Sequence, residues 1–161
     1  GYTNSVHSTT ASCASCHMAS PSGLAGGHSF NSAGNYSGCN TTNCHTGMSA
    51  TNTTLTGAQD YVTTKLQELA TRINALGDGH DILQKGPEDD QYHGNLDIYD
   101  SGSNKTGYWR NPANDTPAFP ALTNAQFGAI LNYQLIFRDA SKGVHNYPYI
   151  KKLLDNTLAA F

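Results

Sequence analysis

All four cysteines of this chain fall between positions 13 and 44, in two pairs, and each pair is followed directly by a histidine. The first reads Cys13-Ala14-Ser15-Cys16-His17 and the second Cys39-Asn40-Thr41-Thr42-Asn43-Cys44-His45. The residues around them offer little else to build on. Through positions 1 to 56, glycines at 23, 26, 27, 34, 38 and 47 punctuate a Ser/Asn/Thr-rich sequence with almost no apolar periodicity. Such a segment reads as loop, and its own side chains cannot offset the entropy of ordering it. Something else has to supply its apolar mass.

The spacing indicates what that is. CxxCH is the attachment signature of c-type haem: each thiol adds across a vinyl group to form a thioether, and the adjacent imidazole reaches the iron from the same side. CxxxxCH keeps this logic with a longer loop, so two haems c are expected, bound covalently by Cys13 and Cys16 and by Cys39 and Cys44, with His17 and His45 as proximal ligands. A structural zinc held by four thiolates ranks second, because zinc favours shorter gaps between paired ligands. Two disulfides rank third, since neither a disulfide nor a zinc site requires a histidine after each pair.

Composition limits the remaining possibilities. A chain of 161 residues fits one domain with a modest core. Only 13% of residues are charged and the formal net charge is −3, which lacks the basic surface of a nucleic-acid binder. No apolar run approaches the roughly 18 residues of a membrane span. Gly1 does not begin a signal peptide, so a mature chain is expected. Covalent haem attachment takes place outside the energy-transducing membrane. Export follows, to the extracellular space or cell surface first and the periplasm second.

Helical periodicity begins after the cysteines. Thr56-Gly57-Ala58-Gln59 has capping-box spacing, Val62, Leu66, Leu69, Ile73 and Leu76 form one apolar face, and Gly77 offers a stop. Glu68 and Arg72 are spaced for an ion pair on the solvated side. Residues 77 to 122 read as irregular, with a short hairpin expected from Leu96, Ile98, Tyr108 and Trp109 around Ser101-Gly102. A second helix opens at Thr123-Asn124-Ala125-Gln126, carries Phe127, Ile130, Leu131, Leu135 and Phe137 up to Arg138, and Gly143 breaks it. A third begins near Asn146 with Pro148 in its first turn and aligns Ile150, Leu153, Leu154, Leu158 and Phe161. The fold class is therefore mainly α with extensive irregular structure, a small helical domain wrapped around two covalent haems. Residues 1–56 attach the haems and residues 57–161 carry helices and distal ligands.

Distal ligation decides the chemistry. Met18 and Met48 sit too close to their own motifs to reach the far face, so of the seven histidines, five compete for two positions once His17 and His45 are placed. His145 comes first, at a helix junction. His28 follows, after Gly26-Gly27 and before Phe30, and His7 is third. His80 and His93 fall in the irregular middle and rank lower.

With these residues the chain resembles the multihaem c-type cytochromes. Ser5-Val6-His7 leading into the first motif, and Gly27-His28-Ser29-Phe30 before the second, resemble places where histidines of those proteins serve as distal ligands. Arg138, Gly143-Val144-His145-Asn146 and Leu153-Leu154 resemble the last ligand helix of pentahaem nitrite reductases, which implies that His145 binds iron. The likeness covers about the first fifty and last forty residues. Two haem motifs and no CxxCK site argue against nitrite reduction. The chain is also similar to extracellular multihaem cytochromes that polymerise into conducting filaments, which implies partners that are other redox proteins or copies of itself.

Two bis-histidine haems leave no position for a substrate, and electron transfer is then the expected function rather than catalysis. One alternative is a dihaem peroxidase or oxyanion reductase with one open iron. Another is a zinc-stabilised binding module. Asn35, Asn40, Asn52, Asn104 and Asn114 open N-x-S/T triplets that composition alone explains, and Glu88-Asp89-Asp90 reads as a solvated loop.

Overall fold

A computed structural model describes residues 3–32, 34–77, 81–85, 92–96, 110–111, 116–117 and 121–161. The described residues are mainly helical: α1 (Val6–Thr10), α2 (Cys13–His17), α3 (Thr53–Asn74), α4 (Asn124–Asp139) and α5 (Tyr147–Ala160), with one-turn 3-10 helices at Gly27–Ser29 and Ala75–Gly77. Two small antiparallel ladders lie in the middle of the chain. β1 (Leu83–Lys85) pairs with β2 (Tyr92–Leu96), Leu83 opposite Leu96, and β3 (Arg110–Asn111) pairs with β4 (Thr116–Pro117). The hairpin expected around Ser101-Gly102 falls outside the described residues. Leu96 instead pairs back to Leu83. No helix among the described residues is long and apolar enough to cross a membrane.

The chain gathers into two compact units, one formed by residues 1–61 with 141–151 and the other by residues 62–140 with 152–161. The second unit holds nearly all the buried apolar side chains. Val62, Leu69, Ala70 and Ile73 come from α3, Ala129, Ile130, Tyr133 and Ile136 from α4, and Leu153, Leu154 and Leu158 from α5, with Ile82 and Leu83 between. Polar bonds fix the directions of these helices. Arg72 donates from Nη1 to the Leu158 carbonyl at 2.9 Å, and Asn132 donates from Nδ2 to Thr157 Oγ1 at 2.9 Å. After α3 the buried Asn74 turns the chain by accepting the Ile82 and Leu83 N–H groups on Oδ1, both at 2.8 Å.

Two details of the helices differ from the expectation. α3 starts at Thr53 rather than Thr56, because Asn52 is the residue that caps it: its Oδ1 accepts from Thr54 N at 3.0 Å and Leu55 N at 3.3 Å, and Thr56 donates its hydroxyl back to the Asn52 carbonyl. On α4, Ile130 is buried as expected, with Ala129, Tyr133 and Ile136 beside it, while Phe127, Leu131 and Leu135 stand about half exposed, so the buried face is rotated from the stripe read from sequence. α4 runs to Asp139, one residue past the Arg138 expected, and Ala140 after it takes the left-handed conformation with φ 55°. The capping box of Thr123 and Gln126 forms as expected, and so does the start of α5 with Pro148 in its first turn.

The first unit is organised differently. Its only buried apolar side chains among the described residues are Ala25 and Ile150. Asn35, 5% exposed, takes the place of a core residue: Nδ2 donates to the Ser20 carbonyl at 2.9 Å and the Ala25 carbonyl at 3.3 Å, and Oδ1 accepts from Ser37 N at 3.1 Å.

Candidate functional site

The CxxCH motif forms a helix of its own. Ser12 caps α2 by accepting the Ser15 N–H on its hydroxyl at 3.2 Å, and Ser15 Oγ accepts the Ser12 N–H at 3.3 Å. A single helical turn sets residues three and four apart on one face, so Cys13 is brought alongside both Cys16 and His17. The longer second motif reaches the same result by turns. Cys44 N–H donates to the Thr41 carbonyl at 3.0 Å, and His45 N–H donates to the Cys39 carbonyl at 3.1 Å, which returns the histidine to the first cysteine of its pair. Asn40 fastens the loop by accepting the Met48 N–H at 2.7 Å and donating to the Met48 carbonyl at 3.0 Å.

The two motifs abut at Gly38. A Cβ placed there would lie 2.5 Å from the Ser15 carbonyl oxygen and 2.8 Å from Cys16 Cα, so only glycine permits this approach. The consequence reaches the thiols: burial pushes the Cys39 thiol up, and the neighbouring Cys16 and Cys44 add to it. All four cysteines are free of disulfides. Among the described residues no three His, Cys, Asp or Glu side chains converge as a tetrahedral metal site would require.

Four histidines come together in two pairs. His7 Nε2 lies 3.4 Å from His45 Nε2, with ring centroids 5.7 Å apart and planes crossed at 67°. His17 and His145 have centroids 6.2 Å apart and planes tilted at 48°. Each motif histidine thus meets one histidine from elsewhere in the chain. His28 is exposed on its 3-10 turn and belongs to neither pair. His80 lies outside the described residues, and His93 lies on β2.

Backbone carbonyls fix two of the four rings. His7 donates from Nδ1 to the Val144 carbonyl at 2.9 Å, and His17 donates from Nδ1 to the Phe30 carbonyl at 2.9 Å. A carbonyl can only accept, so Nδ1 carries the proton in each and the neutral ring keeps its lone pair on Nε2. Metal-ligating imidazoles almost always show this tautomer, with the other ring nitrogen donating to such an acceptor. Phe30 also stacks on His17, with centroids 4.7 Å apart and planes 14° apart. It does so from a left-handed backbone at φ 55°, which costs a non-glycine residue about 1–2 kcal/mol. Neither Phe30 nor Gly38 has a sequence signal that marks it for this role.

The turn between α4 and α5 serves both pairs. It carries His145 itself, and its Val144 carbonyl holds His7. Asn146 ties the amino-terminal segment alongside, accepting the Ser5 N–H on Oδ1 at 2.8 Å and donating from Nδ2 to Asn4 Oδ1 at 3.0 Å, while Ser5 Oγ donates to the His145 carbonyl at 3.2 Å.

The donor set suits two c-type haems. Each pair of thiols lies beside one member of an imidazole pair, and the surrounding unit buries little apolar surface among its described residues, Ala25 and Ile150 alone. Two bonds of about 2 Å each to a shared metal need roughly 4 Å between nitrogens. The His7 and His45 nitrogens therefore have to separate by roughly half an ångström to admit one. Val6, Met18 and Phe30, next to or stacked on these histidines, expose apolar surface that a macrocycle would cover. Compared with known protein-family models, curated proteins and solved structures, the chain matches none of them.

Proposed function

We propose that this chain transfers electrons through two covalently attached haems c. Cys13 and Cys16 tether one between His17 and His145, and Cys39 and Cys44 tether the other between His45 and His7. The observation that carries this reading is the pairing: two histidines distant in sequence meet the two histidines that the cysteine motifs fix in place. A bound c-type haem supplies a one-electron iron couple, and an imidazole on each side keeps the ligand set unchanged between its two states.

The chain's own residues do the rest. Val144 and Phe30 hold His7 and His17 in the ligating tautomer by their carbonyls, so neither ring has to reorient when charge changes at its Nε2. Gly38 lets the second motif press against the first, which supports electron exchange between adjacent cofactors. The thiols are consumed as tethers and have no part as nucleophiles. A dihaem peroxidase or reductase would need an open position, and the two histidine pairs favour none. We further propose an exported protein whose partners are other redox proteins or copies of itself.

The test is spectroscopic. The purified protein is expected to show low-spin haem when oxidised and when reduced, and its ferrous form is expected to bind no carbon monoxide. A high-spin ferric spectrum, or carbon monoxide binding by the unaltered protein, would favour the enzyme reading instead.

A further inference from the structure

We infer that Asn146 positions His7, the axial partner at the second cysteine pair, although in sequence it adjoins His145, the partner at the first. This rests on the ligation proposed above. Helix α1, which carries His7, is only five residues long, buries no side chain and has no side-chain cap. A single turn of that kind does not hold itself in water. Its entry is held instead by the Asn146 amide, which takes the Ser5 N–H on Oδ1 at 2.8 Å and gives a hydrogen to Asn4 Oδ1 at 3.0 Å. His7 follows two residues later, with Nδ1 on the Val144 carbonyl.

His145 is fixed by different means. The Asn146 N–H closes onto the Gly143 carbonyl at 3.2 Å, and Ile150 N–H onto the Asn146 carbonyl at 3.0 Å. The His145 N–H also donates to Ser141 Oγ at 3.4 Å. None of these bonds uses the Asn146 side chain. Truncating that side chain therefore releases the distant histidine and spares its neighbour. Ligation at one cofactor then depends on the turn that serves the other.

Carbon monoxide binding to the ferrous, haem-loaded protein reads this directly, because it reports each iron that has lost an imidazole. Asn146→Ala is expected to open one haem, and Asn146→Asp, which keeps the acceptor for Ser5 N–H, to restore closure. Ser5→Pro removes that bond from the other side, at a backbone φ of −77° that proline accepts, together with the Ser5 hydroxyl's bond to the His145 carbonyl, and is expected to open one haem too, whereas Ser5→Ala, which loses the hydroxyl alone, is expected to stay closed. Combining Asn146→Ala with His7→Ala should still open one haem, whereas combining it with His145→Ala should open both. The reverse pattern in the double variants would overturn the inference, as would a closed Asn146→Ala or a closed Ser5→Pro protein. Carbon monoxide binding by the unaltered protein would instead overturn the proposed ligation.

Discussion

An imidazole is oriented for ligation when one ring nitrogen is held so that the other presents its lone pair, and single backbone carbonyls hold Nδ1 of His7 and of His17 in this way, with His7 Nε2 directed at His45 Nε2. Gly38 works at the same scale, by what it lacks. With a Cβ only 2.5 Å from the Ser15 carbonyl and 3.1 Å from Ala19 Cβ, Gly38→Ala has to push two stretches of backbone apart. Overpacking of this kind costs about 1–3 kcal/mol. Urea denaturation followed by the haem absorbance should show that loss in the Gly38→Ala protein, together with weaker magnetic coupling between the irons. A variant within about 0.5 kcal/mol of the parent would mean the approach is loose. The sequence disclosed the anchored residues well. CxxCH and CxxxxCH place Cys13, Cys16, His17, Cys39, Cys44 and His45 by local spacing. The partners across each pair were less legible, because His7 and His145 reach their places through folding of distant segments. His28, which the sequence places ahead of His7 because a short loop after Gly26-Gly27 can fold over a macrocycle, is exposed and meets neither motif histidine.

Among the helices, what was local was readable and what was tertiary was not. The Thr123 and Gln126 capping box needs only four consecutive residues, and it forms. The sequence misplaces the cap of α3 at Thr56, because Asn52 is held by the preceding loop, where its Nδ2 reaches the Gly47 carbonyl at 3.4 Å. The exposed stripe of Phe127, Leu131 and Leu135 on α4 could not be told from a core stripe by periodicity, since both repeat every three or four residues. On the solvated side of α3, Glu68 bridges Lys65 at 2.8 Å and Arg72 at 2.6 Å. The hydrogen bond from Lys65, aided by Arg72, holds its carboxyl below the ordinary carboxylate range. A depressed carboxyl adds stability above its unfolded pKa, and that contribution is lost as pH falls through the folded pKa. Glu68→Gln should therefore lower the melting temperature slightly at neutral pH, less so in high salt, and not at all in strong acid. Thermal melts of both proteins at the two pH values check this; an equal gap in acid would show that charge is not the cause.

At the scale of the molecule, the division of apolar residues matters most. The unit containing most of α3 and all of α4 has a side-chain interior, whereas the unit containing the cysteines has Ala25, Ile150 and a hydrogen-bonded Asn35. This imbalance was visible in composition, as a front third rich in Gly, Ser, Asn and Thr followed by periodic helices. The way two distant segments converge on that front third was not, because no local pattern encodes a meeting of residues 4–7 with residues 144–146. Two tethered macrocycles would supply the missing interior and give the paired imidazoles their purpose. The most direct measurement is the intact mass, under denaturing conditions, of protein produced in a host that matures c-type cytochromes. The account predicts the polypeptide plus two haems that survive denaturation because thioethers hold them; a mass equal to the polypeptide alone would contradict it.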